Sequence, residues 1–148
     1  MSIIRRILGG KDDGDTPTPQ RLDYLNEALA LERQGSYDDA LTSYRLAQRD
    51  HPGDPRILLN MAIVLTKTGQ AEEAIRAYRK VLEIDRHQSG ANYGLGFLLL
   101  RRGDRAGAAR HLQAFLQRPP QGTDAERWVR HAQDALDGLA DELEPEPR

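Results

Sequence analysis

A glycine followed five residues later by an alanine occurs three times in register: Gly35-Ser-Tyr-Asp-Asp-Ala40, Gly69-Gln-Ala-Glu-Glu-Ala74 and Gly103-Asp-Arg-Ala-Gly-Ala108. Successive glycines lie 34 residues apart. A constant period of that length means one helix-turn-helix unit stacked on copies of itself, because no single unit can bury its own apolar side. Residue size repeats along with position. Seven residues before each glycine stand Ala28, Ala62 and Gly96, and five after it stand Ala40, Ala74 and Ala108. Nine after it come Tyr44, Tyr78 and Leu112, and twelve after it Ala47, Val81 and Phe115. The small residues let two helices touch, and the larger ones fill the space between neighbouring pairs.

The punctuation between these points predicts seven helices. Thr18-Pro19 reads as an N-cap followed by a first-turn proline, opening a helix from about Pro19 to Gln34 with Leu22, Leu25, Ala28, Leu29 and Glu32 at helical spacing. Gly35 ends it, and Ser36 with Asp39 predicts a capping box for a second helix through about Arg49. Asp54-Pro55 opens the third helix, which reaches Thr68, and the fourth runs from Ala71 to Ile84. Ser89 is the expected cap of the fifth, ending near Arg102. The sixth closes at Gln117 before Pro119-Pro120. Thr123-Asp-Ala-Glu126 predicts a capping box for a seventh helix. The apolar stripe of that helix is Ala125, Trp128, Val129, Ala132, Ala135, Leu136 and Leu139. One face of it can cover the last unit while the other meets water, as the end of a solenoid requires.

Composition narrows the function classes. Charged residues make up 30% of the 148 and hydrophobic residues 39%, with a formal net charge of −2, which argues against a broad electrostatic footprint for nucleic acid. With no cysteine, disulfides and thiolate metal sites are unavailable. No apolar run approaches the ~20 residues of a spanning helix. Met1-Ser-Ile-Ile-Arg-Arg-Ile-Leu8 interrupts its apolar stretch with two arginines and lacks the apolar centre of a secretory signal. The expectation is a cytoplasmic protein that is not secreted.

The aligned residues resemble the tetratricopeptide repeat family over about Arg21 to Gly122, with the seventh helix in the place of that family's solvating end helix. The resemblance implies an all-α, right-handed superhelix of three helix pairs plus a C-terminal capping helix. The implied organisation is an N-terminal segment 1–18, units at about 21–54, 55–88 and 89–122, a capping helix at 123–140 and an acidic tail 141–148. It also implies a concave groove lined by the first helix of each pair. By that alignment the groove positions are Leu22, Leu25, Asn26, Leu29 and Arg33, then Arg56, Leu59, Asn60, Ile63 and Lys67, then Tyr93, Phe97, Leu100 and Arg101. Chaperone-binding members of the family grip an acidic C-terminal peptide with lysine, arginine and asparagine side chains. Here only Asn60 matches, and Leu25, Leu29, Gly90 and Gly94 stand at the other positions.

Catalytic readings find no footing in the residues. His51, His87, His111 and His131 lack a second histidine one turn away, and neither a nucleophile elbow nor a phosphate loop occurs. Asp38-Asp39 and Glu72-Glu73 open second helices, where the macrodipole favours them. Gly94-Leu-Gly96 fits close helix approach. Single-stranded RNA binding would need polar base-reading side chains where leucine and isoleucine stand. No catalytic residue, metal or cofactor is assigned. The expected function is an adaptor that takes an apolar peptide or helix, with Leu25, Leu29, Leu59, Ile63, Tyr93 and Phe97 as anchors and Arg33, Lys67 and Arg101 selecting acidic flanks. The alternative is a self-associating homo-oligomeric scaffold, and for Tyr93 and Phe97 the alternative is packing against the seventh helix or the preceding unit. Outside the repeats, Ile3, Ile4, Ile7 and Leu8 fall on one helical face and Arg5 and Arg6 on the other. That pattern leaves three readings: weak contact with an anionic membrane, docking into the groove, or a frayed terminus.

Overall fold

A computed structural model of the chain describes residues 23–143. Over these residues it contains seven α-helices: α1 (Tyr24–Arg33), α2 (Tyr37–Asp50), α3 (Pro55–Lys67), α4 (Ala71–Ile84), α5 (Ser89–Arg102), α6 (Arg105–Gln117) and α7 (Ala125–Leu143). They pack in sequence as the pairs α1/α2, α3/α4 and α5/α6, with α7 against α6, and α3 also touches α5 directly. The readings of segment 1–18, of Thr18-Pro19 and of Leu22 lie outside the described residues.

The helix ends follow from backbone chemistry repeated three times. Gly35, Gly69 and Gly103 all have positive φ, at 78°, 77° and 89°. The left-handed turn lets the next residue's N–H reach back: Ser36 to the Leu31 carbonyl, Gln70 to Leu65 and Asp104 to Leu99, each at 2.9 Å. This closure satisfies carbonyls that the helix end would otherwise leave orphaned. Proline at the start of α3 works as expected, with the Asp54 side chain accepting from the Arg56 N–H at 2.9 Å.

The described first helix begins at Tyr24, where Asp23 takes the N-cap and its carboxylate accepts from the Asn26 N–H. Three caps differ from their sequence reading. Ser36 makes no side-chain cap, whereas Asp104 at the same place in the third copy accepts from the Gly107 N–H at 2.9 Å. Gln88 caps α5 in place of Ser89, folding its Oε1 back onto the Ala91 N–H. Among the described residues Thr123 makes no bond to Glu126. The Asp124 carbonyl already accepts from the Trp128 N–H, which puts Thr123 one position too early to cap.

The size pattern of the repeat is the packing pattern of the core. Ala28, Ala40, Ala62, Ala74 and Ala108 are fully buried, and so are Tyr44 and Leu112, with Tyr78, Val81 and Phe115 almost fully so. Glycines inside α5 mark two closer approaches. A Cβ on Gly94 would lie 2.4 Å from Cζ of Tyr78, and one on Gly96 would lie 2.8 Å from the Leu112 side chain. Buried polar groups are few and paired. The Asn92 amide donates to the Arg86 carbonyl at 3.0 Å, which leaves its oxygen to accept from Nδ1 of His111, also at 3.0 Å. That chain of bonds fixes the turn between the second and third units to α6.

Two outcomes test this account. Gly94→Ala should destabilise the protein by about 1–3 kcal/mol in urea unfolding because the Tyr78 ring must move. Gly53→Ala, whose added Cβ meets nothing within 4 Å, should stay within about 0.5 kcal/mol of wild type. Burial first, and then the charges of Arg110 and Arg79, hold the His111 imidazole below its ordinary pKa. The unfolded chain therefore takes up this proton first, and stability should fall as pH drops below about 6.5. Melting scans from pH 7.5 to 5 should show a smaller decline for His111→Gln, and an unchanged decline would remove His111 from the explanation.

Candidate functional site

The first helix of each pair keeps one side out of the main core, and on α5 part of that side is covered by α7. On α3 the buried residues Ile57, Leu58, Met61, Ala62, Val64 and Leu65 occupy one arc, while Arg56, Leu59, Asn60, Ile63 and Lys67 share the other. Leu59, Asn60 and Ile63 are half-buried, and Arg56 and Lys67 are exposed. On α1, Leu25 and Leu29 are half-buried beside exposed Asn26 and Arg33. On α5, Tyr93, Phe97 and Leu100 are half-buried beside exposed Arg101. The structure thus half-buries every described apolar member of the sequence-derived groove, together with Asn60, and leaves the cations and Asn26 exposed. Leu25, Leu29, Leu59, Ile63 and Leu100 rest their inner sides on the main core and leave their outer sides free of it. Such a strip is apolar enough to bind a side chain and too short of partners to be core.

The two ends of this surface differ in chemistry. At the α5 end, Tyr93 and Phe97 join a second, smaller core with Leu112, Phe115 and Ala132. The Phe97 ring stacks on His131 at 4.2 Å and 8°, and the Tyr93 ring meets Phe115 and Trp128 edge-on, each at 5.2 Å. A hydrogen bond of 2.6 Å joins the Tyr93 hydroxyl to Nδ1 of His131, and burial pushes the phenol pKa up. Packing against the capping helix, one of the alternatives for these two rings, is therefore realised. Trp128 keeps an exposed edge with the Arg127 guanidinium over its ring at 4.7 Å.

At the α1 end lies a cleft of about 530 Å³ whose lining includes Leu25, Asn26 and Ile57 together with Asp23, Asp50 and Asp54. Arg56 and His51 also line it. Asp54 is engaged by Arg56 through Nη2 at 2.8 Å and Nε at 3.2 Å, and that guanidinium holds its carboxyl below the usual range. Three carboxylates line the cleft, with Arg56 on Asp54 and Arg49 reaching Asp50 at 3.8 Å from outside the lining.

Of the three cations assigned to acidic flanks, Lys67 has a partner within the chain. Its Nζ lies 3.1 Å from Oε1 of Glu32 and 5.4 Å from the centre of the Tyr37 ring. Glu32 also accepts from the Tyr44 hydroxyl at 2.8 Å, and burial together with that carboxylate raises the Tyr44 pKa strongly. Among the described residues, no ion pair holds Arg33 or Arg101. The Glu32–Lys67 pair was missed by sequence reasoning, although a signal existed. The two residues are 35 apart, one repeat plus one position, which brings neighbouring first helices side to side. The acidic cleft was missed because its aspartates come from two segments far apart in sequence, Asp23 at the start of α1 and Asp50 with Asp54 at the turn between α2 and α3. Among the described residues no group of three or more His, Asp or Glu side chains is placed to hold a metal ion, and no helix is long and apolar enough to cross a membrane.

Comparison with known proteins places this architecture. Tetratricopeptide repeat models match residues 25–91 and 65–128. The chain belongs to the tetratricopeptide repeat family, and its fold is that family's all-α superhelix of helix pairs. A curated relative is the photosystem I assembly protein Ycf3 of Parasynechococcus marenigrum (strain WH8102), 29% identical over 115 residues, covering 76% of this chain and 61% of that protein. The chain thus spans less than two thirds of that relative. Among solved structures, the Yersinia enterocolitica type III secretion chaperone SycD in complex with a peptide of the translocator YopD superposes with a TM-score of 0.75 at 18% identity, covering 82% of this chain and 92% of that one. PcrH of Pseudomonas aeruginosa, with the chaperone binding region of PopD, gives 0.72 at 16%, covering 82% and 91%. At these identities the likeness is one of fold.

The capping helix completes the α5 end of the site. Ending the chain before Thr123 should strip the cover from Phe115 and Leu112, each large side chain contributing roughly 1.5–3 kcal/mol by burial. The truncated protein should aggregate or melt well below wild type. A monomeric truncation with unchanged melting would show that the aromatic cluster is not needed.

Proposed function

We propose that the chain is a non-catalytic adaptor that takes an apolar protein segment, peptide or helix, along the open side of its first helices. The observation that carries this is the continuity of half-buried Leu25, Leu29, Leu59 and Ile63 across α1 and α3. These side chains are anchored below and unfilled above, which suits anchors spaced at i and i+4 on an incoming helix or alternate residues of an extended peptide. Tyr93 and Phe97 serve as a rigid aromatic wall where α7 closes the surface, since stacking on His131 restrains them. Arg33 and Arg101 favour acidic flanks, while Lys67, neutralised by Glu32, contributes mainly packing. Asn26 and Asn60 supply hydrogen bonds to the peptide backbone. An acidic chaperone-type C-terminal peptide is not the expected ligand, because Leu25, Leu29, Gly90 and Gly94 offer it no side-chain donor.

Two solved structures of this fold, SycD with a peptide of YopD and PcrH with the chaperone binding region of PopD, support the class of ligand. Selection of a displayed library of amphipathic peptides against the full chain tests the reading. Binders should be enriched in leucine-type anchors with acidic flanks, and Leu59→Ser with Ile63→Ser should weaken them by at least tenfold while helicity by circular dichroism is kept. Undiminished binding to the folded double variant would move the site elsewhere. Light scattering should show a monomer at concentrations where peptides bind. A dimer whose dissociation accompanies the same two substitutions would favour the scaffold reading instead.

A further inference from the structure

The acidic cleft stands where the preceding chain enters the domain. Asp23, the cap of α1, is itself one of its lining residues, so the residues before it leave from the cleft's own wall. From there Leu25 and Leu29 are within two helical turns along α1, at ~1.5 Å rise per residue. The sequence that leads into this point carries one apolar, doubly basic stretch, Ile3-Ile-Arg-Arg-Ile-Leu8, and then residues 9–22 rich in glycine, aspartate, threonine and proline. Fourteen residues fully extended reach at most about 46–50 Å. The apolar strip of α1 and α3 lies within that reach.

We propose that residues 3–8 seat Ile3, Ile4, Ile7 and Leu8 on the strip formed by Leu25, Leu29, Leu59 and Ile63, with Arg5 and Arg6 toward the carboxylates of the cleft, so that the chain occupies its own groove until a partner displaces it. This rests on the groove reading above and adds its regulation. Charge and shape agree on the occupant. The strip takes a short amphipathic segment with anchors one turn apart, and the cleft beside it carries the carboxylates of Asp23, Asp50 and Asp54, with Arg49 at the edge of Asp50 and Arg56 on Asp54. A membrane surface would draw on the same two arginines but leave the strip and the cleft unused. Tethering supplies the remainder: covalent linkage through a short stretch of chain can give an effective concentration on the order of millimolar, so a contact that would be negligible between separate molecules becomes well populated.

The absence of cysteine permits a direct test in the full chain. A nitroxide on Ser2→Cys should broaden amide signals of Leu29, Leu59, Ile63 and the 50–54 turn, and spare those of Lys80 and Glu83 on α4. Ile4→Asp with Ile7→Asp should abolish that broadening and raise affinity for a selected peptide by about tenfold, the gain expected when a tethered competitor is removed. Absent or uniform broadening overturns the proposal. Broadening seen only when nitroxide-labelled protein is mixed with isotopically labelled, nitroxide-free protein gives the groove to a second copy and also overturns it. Sedimentation with phosphatidylserine vesicles that depends on Ile4 and Ile7, with no broadening in their absence, gives the segment to a membrane with the same effect. The two readings fail separately. Peptide binding without broadening sinks self-docking alone, whereas broadening at the strip without any peptide binder supports self-docking and removes the adaptor role.

Discussion

Everything in this domain depends on the close contact of paired helices at small residues. Ala28 against the helix of Ala40, and its counterparts in the next two units, bring backbones near enough for the turn at each glycine to close on itself. The three glycines make that turn with positive φ and the same 2.9 Å closing bond. A larger side chain at any alanine would push the pair apart, and the ring or branched chain nine residues after the glycine would lose its slot. Because each pair is built identically, the offset between pairs is also repeated, and the superhelix follows.

The open surface is a consequence of that geometry. A helix pair buries the inner side of its first helix on its own partner and part of the rest on the next unit. What remains is a strip that core packing leaves uncovered, and stacking aligns the strips. In α3 the strip carries Leu59 and Ile63, too apolar to be chosen for solubility. In α5 it carries Tyr93 and Phe97, which α7 recruits into a second small core. The open surface therefore has an apolar half and an aromatic half packed against α7, with an acidic cleft beyond the apolar one.

Much of the fold was legible because it repeats. The helix order, the buried alanines and the close approach at Gly94 and Gly96 all follow from aligning three copies on one glycine. The caps were less legible, since Gln88 for Ser89 is a choice of one residue position, set by which carbonyl is already engaged. Positions on the open side of single helices came from the resemblance to the repeat family. Pairings across helices did not, and so Lys67 was read as a free cation until Glu32 and Tyr37 were seen beside it. The acidic cleft is assembled from Asp23, Asp50 and Asp54, which no local pattern connects.

The central claim is that the open side of α1 and α3 is where a partner sits. Photo-crosslinking tests it most directly, with a benzophenone side chain placed at Asn60 on the open side of α3 or at Lys80 on the exposed side of α4. A bound peptide should crosslink to the probe at position 60 and not to the probe at position 80. Crosslinking from position 80 with none from position 60 would contradict the account.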